Sequence, residues 1–185
     1  MRNKITALAA LITTALLSSM PNSSKAAEFN LPAIHQQIEK DYDDVRHINR
    51  QQLDMLRQET PEDVILFDVR EPDEFAVSHI KGAHRLSPGS WKSTVLENWG
   101  QKVDGKTVIF YCSVGVRSSK MAAYLAGALK QNGAKDIYNL KEGVFGWANH
   151  SKPLINNQGA TPYVHPYNDH WGKLLNSKQL WRKTP

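Results

Sequence analysis

Apolar residues along this chain come in two alternating kinds of run. Residues 107–111 (Thr-Val-Ile-Phe-Tyr) and 64–67 (Val-Ile-Leu-Phe) are short and unbroken, the pattern of strands buried on both faces of a parallel sheet. Residues 136–140 read as another short strand, and one more is expected near 84–86. Elsewhere the period lengthens. Leu31, Ile34, Ile38 and Tyr42 recur at three- and four-residue steps, which predicts a helix over about residues 32–42. Asn49 followed by Gln52 reads as a capping box opening a helix through about residue 58, with Leu53 and Leu56 turned inward. Pro72-Asp73-Glu74-Phe75 suits a first helical turn, and a further helix is expected near residues 90–99, before a turn at Asp104-Gly105. The Ala- and Leu-rich residues 118–130 predict a helix that Asn132-Gly133 ends in a left-handed cap. Glu142-Gly143-Val144-Phe145-Gly146-Trp147 reads as a glycine-punctuated turn entering a last helical turn. Strands alternating with helices imply an α/β domain, mostly parallel, with right-handed crossovers and ligands at the strands' carboxyl ends. Asp68 and Cys112 both sit at such ends.

The start of the chain changes where this domain is expected to work. Arg2 and Lys4 precede an apolar run from Ile5 to Leu17, and Ser24-Lys25-Ala26-Ala27 supplies small residues at a signal peptidase's spacing. The run is short against the roughly 20 residues a membrane span needs. Residues 1–26 are therefore read as a cleaved signal, with cut sites after Ala26 or Ala27, and the mature protein as periplasmic or secreted and free of the membrane. Residues 27–44 are then a helical extension, 45–150 the α/β domain and 151–185 a tail. The formal charge of +5 falls to +2 once Arg2, Lys4 and Lys25 leave with the signal. The remaining excess lies in the tail, where five basic residues, from Lys152 to Lys183, face Asp169 alone. No basic stripe with interleaved aromatics suits nucleic acid. The tail is read as solvated surface. His165, Asp169 and His170 are close in sequence, but Pro166 interrupts them and no common helix face is implied, so no metal and no cofactor are expected.

Exported proteins use cysteines in pairs, yet this chain has one. Cys112 opens the loop Tyr111-Cys112-Ser113-Val114-Gly115-Val116-Arg117-Ser118, between a strand and a helix. Such a loop points successive backbone N–H groups and the helix's positive end at its contents. With Arg117 beside it, the thiol is expected to ionise below its ordinary pKa of roughly 8.5 and to act as a nucleophile on an anionic substrate. Gly115 permits the tight curl, and Ser113 and Ser118 offer hydroxyl donors to an anion or to the helix end. No general base is needed if the thiolate attacks its target atom directly, as it would a sulfane sulfur.

The run Asp68-Val69-Arg70-Glu71-Pro72-x-Glu74-Phe75, then His79-Ile80-x-Gly82-Ala83, then Tyr111-Cys112-x4-Arg117-Ser118, then Glu142-Gly143-x-Phe145-x-Trp147 resembles a single-domain rhodanese. The resemblance covers roughly residues 45–150. It implies a sheet of about five mostly parallel strands wrapped by helices, and a persulfide carried on Cys112. It implies transfer of sulfur from a small sulfur-containing anion such as thiosulfate to cyanide, a thiol or a protein sulfur acceptor. Arg117 and the N–H groups from Ser113 through Val114, Gly115 and Val116 to Ser118 would form the anion cradle, and Asp68 and Arg70 would support the loop. Three other readings compete. A phosphatase or arsenate reductase on a related fold would carry Cys-x5-Arg, and one residue fewer leaves a smaller pocket. A non-catalytic binding module on the same fold is the second, and thiol-disulfide exchange with a partner's cysteine the third.

Overall fold

A computed structural model describes residues 28–185. The expected signal, residues 1–26, lies outside them. No helix among the described residues is long and apolar enough to cross a membrane.

The chain runs α1 (Leu31–Asp41), β1 (His47–Ile48), α2 (Arg50–Glu59), β2 (Val64–Asp68), α3 (Pro72–Val77), β3 (Ala83–Arg85), α4 (Lys92–Trp99), β4 (Thr107–Tyr111), α5 (Val116–Gln131), β5 (Asp136–Leu140) and α6 (Gly143–Asn149). A tail follows, with the hairpin β6 (Leu154–Asn156) and β7 (Gly159–Thr161) and a short α7 (Asp169–Gly172). Strands β1 to β5 form one parallel sheet in the order β1-β5-β4-β2-β3. Its centre, β4, is buried at all five positions, as its unbroken apolar run predicts. The capping box at Asn49 is present, with Asn49 Oδ1 accepting from Gln52 N and Gln52 Oε1 from Asn49 N, both at 2.9 Å.

The pleat sorts the strand side chains into two cores. Leu66, Ile109 and Tyr111 share one face with Leu53 of α2 and with Val144, Phe145 and Trp147 of α6. Ile65, Phe67, Val108, Phe110 and Cys112 point to the other, where Met121, Leu125 and Leu129 of α5 and Val95 of α4 cover them. Strands β2 and β4 run in register from Val64 opposite Thr107 to Asp68 opposite Tyr111. From β2 the chain moves outward to β3, whereas from β4 it moves the opposite way to β5. The crevice between the ends of β2 and β4 is thus the sheet's switch point, where open α/β sheets take their ligands. Residues 69–71 and 112–115 flank it.

The structure corrects the reading of residues 151–185 as solvated surface. Leu154, Val164, Leu174 and Leu175 are buried in the same core as α6. Each such side chain gains about 1.5–3 kcal/mol from burial. Backbone bridges join Ile155 to His79 and Val164 to Trp181, and Asn149 of α6 donates to Leu174 O at 2.8 Å while accepting from Asn176 N at 2.8 Å. The strand β1 was also not foreseen, because two residues carry no readable alternation.

Its His47 packs edge-on against His35 of α1, ring centroids 4.8 Å apart, and its Nδ1 lies 3.2 Å from Asn139 Nδ2. A neutral imidazole can accept from that amide and an imidazolium cannot. Burial, then the neighbouring His35, hold the His47 pKa at about 4. The unfolded chain therefore binds a proton below its ordinary 6.5 that the folded chain refuses. The His47 contribution to stability is complete above pH 6.5 and falls as the pH drops from 6.5 to about 4, then levels. Thermal melts across that window should show the decline, and His47→Gln should flatten it. An unchanged slope in that variant would assign the acid sensitivity elsewhere.

Candidate active site

The loop at the end of β4 is fastened from behind. Carbonyls of Cys112 and Ser113 accept from Val144 N at 2.9 Å and Phe145 N at 3.0 Å, the free N–H groups of the first turn of α6. This close approach dictates glycine at 143. A Cβ there would stand 2.3 Å from Cys112 O and 2.7 Å from Ser113 O, and the residue has φ +56°. A trans peptide aims its N–H opposite its carbonyl, so the N–H groups of Ser113 and Val114 point away from α6. Gly115, at φ +106°, caps α5 and donates its N–H to Cys112 Sγ at 3.2 Å. The thiol is 1% exposed and lies over the positive end of the 16-residue α5.

Opposite the thiol, across the switch point, stands Glu74 of α3. It is 1% exposed and takes both arms of the Arg117 guanidinium, Nη1 to Oε2 at 2.7 Å and Nη2 to Oε1 at 2.8 Å. Ser113 Oγ donates to Oε1 at 2.8 Å and accepts from Arg117 Nη2 at 2.9 Å, while Glu71 N donates to Oε2 at 3.1 Å. Burial alone would raise the Glu74 pKa, but the hydrogen bonds and charge of Arg117, helped by Arg70, hold it below the ordinary carboxylate value. Burial likewise opposes the charge on Arg117, yet Glu74 and the adjacent Cys112 raise its pKa. The two groups form a closed, charge-compensated pair on the loop.

Asp68 and Arg70 form a second, deeper pair. Arg70 Nε and Nη2 donate to the Asp68 carboxylate at 2.8 and 2.5 Å, and Nη2 also reaches Ser78 O at 2.6 Å. Both side chains are fully buried, with the Arg70 guanidinium over the Tyr111 ring at 5.8 Å. The Tyr111 hydroxyl accepts from Ile80 N at 3.1 Å, and burial followed by Asp68 pushes its pKa well up. Neither charged group enters the wall of the thiol cavity. They brace the residues after β2 against β4 and the α3–β3 connection.

That cavity holds about 180 Å³ and is lined by Cys112, Ser113, Val114, Val116, Arg117, Tyr167 and Trp171. Ser118 is absent from the wall. Its Oγ donates to Asn139 Oδ1 at 2.6 Å and lies 3.2 Å from Gly115 O, so it holds the base of the loop. A larger groove of about 370 Å³ lies on the far side of Arg117, between Trp91, Lys120, Met121 and Tyr124. It does not reach the thiol, so the smaller cavity is the reactive one. Of the tail residues considered for a metal, His165 Nδ1 accepts from Tyr167 N, Asp169 pairs with Lys183, and His170 packs at a tilt against Phe29, ring centroids 4.2 Å apart.

The structure brings Cys112, Ser113, Val114, Gly115, Val116 and Arg117 together around one cavity, and adds Glu74, Gly143, Tyr167 and Trp171, which sequence reading did not place there. Glu74 had a visible signal as one of several acids in the resemblance motif, but its partner is 43 residues away. The aromatic pair had none.

Comparison with known proteins places this geometry. The rhodanese-like domain family matches residues 50–150. A sulfurtransferase of Allochromatium vinosum is 32% identical over 98 residues, 53% of this chain and 84% of that protein. An arsenate reductase 2.1 of Oryza sativa subsp. japonica is 30% identical over 96 residues, 49% of this chain and 60% of that protein. The crystal structure of a thiosulfate sulfurtransferase from Pseudomonas aeruginosa superposes with a TM-score of 0.52 at 18% identity, over 78% of this chain and 26% of that one, a likeness of fold. The family match and the sulfurtransferase relative support sulfur-transfer enzymology in general terms. A cysteine loop at the switch point of a five-stranded parallel sheet, together with a match across more than half its length, makes this chain a member of the rhodanese-like domain family.

Proposed function

We propose that this protein moves a sulfane sulfur from a donor such as thiosulfate to cyanide or a thiol, through a persulfide on Cys112. The observation that carries the reading is the Cys112 Sγ, held by the Gly115 N–H in a small cavity whose wall, among the described residues, contains no carboxylate or imidazole. A site without a general base suits a reaction that needs no proton moved at the attacked atom. The Cys112 thiolate attacks the outer sulfur of the donor, the donor's S–S bond breaks, and sulfite leaves with the electron pair. The acceptor then attacks the outer sulfur of the persulfide, the new S–S bond breaks, and the thiolate returns. The anion at each stage would be stabilised by the Gly115 N–H, the inward N–H groups of Ser113 and Val114, and the start of α5. Arg117 would supply charge near the thiolate while Glu74 fixes its position. Residues 1–26 add the proposal that the enzyme works after export, in the periplasm or outside the cell.

The name of the rice relative makes oxyanion reduction the second reading. Against it, Arg117 is already engaged by Glu74, and the chain has no second cysteine to resolve a thiol adduct.

Incubation with thiosulfate followed by intact-mass measurement should show the gain of one sulfur atom, removed by cyanide and absent in Cys112→Ser. No adduct with any sulfane donor would leave a binding module. Removing Arg117 outright would strand the buried Glu74, so the charge is best tested with Arg117→Lys, which keeps a cation and loses the fork. Its sulfur transfer should fall by up to about 10²-fold, as when a positioned group is displaced by about 1 Å from the reacting atoms. Unchanged turnover would make Arg117 a structural partner of Glu74 alone.

A further inference from the structure

The wall of the thiol cavity facing the loop is not built by the family domain. It is built by Tyr167 and Trp171, beyond the last residue matched to the family. Tyr167 is one of three non-glycine residues with positive φ among those described, at +62°. A side chain in that conformation is held at a cost of order 1–3 kcal/mol, and such strain collects where a position matters. Several contacts hold it. Tyr167 N donates to His165 Nδ1 at 3.0 Å, and Asn168 N to Pro166 O at 2.8 Å. Asn168 Oδ1 then caps α7, accepting from His170 N and Trp171 N, both at 3.0 Å. Gly172 closes the turn so tightly that a Cβ would meet Trp181 at 2.6 Å and Pro166 at 2.8 Å.

The outcome is a ring placed over a charge. Tyr167 lies 5.0 Å from the Arg117 guanidinium, whose edge is already filled by Glu74 and Ser113. Trp171, half-buried against the core and 5.8 Å from Phe29, stands beside it. A dianion entering here finds a neutralised arginine. An organic group finds Val114, Val116 and two aromatic rings.

We propose that Tyr167 and Trp171 are specificity-determining residues, selecting sulfane donors in which the transferable sulfur is borne on an aromatic or aliphatic group over inorganic thiosulfate. This rests on the sulfur-transfer reading above. With an aryl thiosulfonate the balance is simple. The Cys112 thiolate attacks the outer sulfur, the S–S bond breaks, and the arylsulfinate leaves with the electron pair while its ring lies against Tyr167 and Trp171.

The test is the ratio of kcat/KM for benzenethiosulfonate to that for thiosulfate. The ratio should favour the aryl donor and fall by about tenfold in Tyr167→Gly, the scale of losing apolar contact in a pocket. Glycine accepts φ +62°, so this variant removes the ring without straining the turn. Tyr167→Phe should keep the ratio, and Trp171→Ala should lower it. A ratio equal in wild type and Tyr167→Gly, with the persulfide still formed from thiosulfate, overturns the specificity proposal and leaves the sulfur-transfer reading standing. A second measurement is independent of turnover. The Cys112→Ser protein should bind benzenesulfonate about tenfold more tightly than methanesulfonate by calorimetry, and the added Tyr167→Gly should erase the difference. Equal affinity for the two sulfonates in Cys112→Ser overturns the proposal even if no donor forms a persulfide.

Discussion

One buried carboxylate ties the two halves of this site together. Glu74 comes from the helix after β2 and Arg117 and Ser113 from the loop and helix after β4, and the connections leave these paired strands in opposite directions. Without a bond across that divergence, nothing on the cavity side would fix the loop against the α3 segment. Glu74 makes the bond with both oxygens, accepting from Arg117, Ser113 and Glu71. Burying an ion pair is costly unless the geometry is good and the spare lone pairs are filled. Here the fork is bidentate and both oxygens take further donors, which is the arrangement that offsets desolvation. The outcome is order more than net stability: a loop with one shape and an arginine with one direction.

Behind the loop the same economy applies to backbone. The first N–H groups of α6 would otherwise be unsatisfied, and the carbonyls of Cys112 and Ser113 need donors because they are turned from the cavity. Each supplies what the other lacks. The peptide planes then commit the opposite N–H groups to the thiol side, so an anion-stabilising surface follows from how α6 docks. Asp68 and Arg70 perform the equivalent bracing one strand over, with Ser78 O sharing the Nη2 that also reaches Asp68.

How much of this could be read from sequence follows from how local each signal is. Strand β4 and strand β5 were legible to the residue, because an unbroken apolar run between polar turns has one sheet-compatible meaning. Helix α2 was legible from Asn49 and Gln52, three residues apart. The loop Cys112–Arg117 was legible because its chemistry lies within six residues. Glu74 was read only as an acid in a helix's first turn, since its true partner comes from another crossover. The tail was misread for the opposite reason. Its charge and prolines dominate residues 151–185, while Leu154, Val164, Leu174 and Leu175, which carry it into the core, are too far apart for any period to show.

That misreading bears on what kind of enzyme the site can be. A sulfur cradle made only by the loop would be an open, basic concavity, and its selectivity would follow from charge. Glu74 removes much of that charge, and the docked tail replaces open solvent with Tyr167 and Trp171. On the proposed route, a thiolate or persulfide there would be held by fixed backbone dipoles around a sulfur that is 1% exposed, where such dipoles are worth more than in water. The family domain thus supplies the cysteine loop, and the segment after it supplies the aromatic wall on which the proposed donor specificity rests.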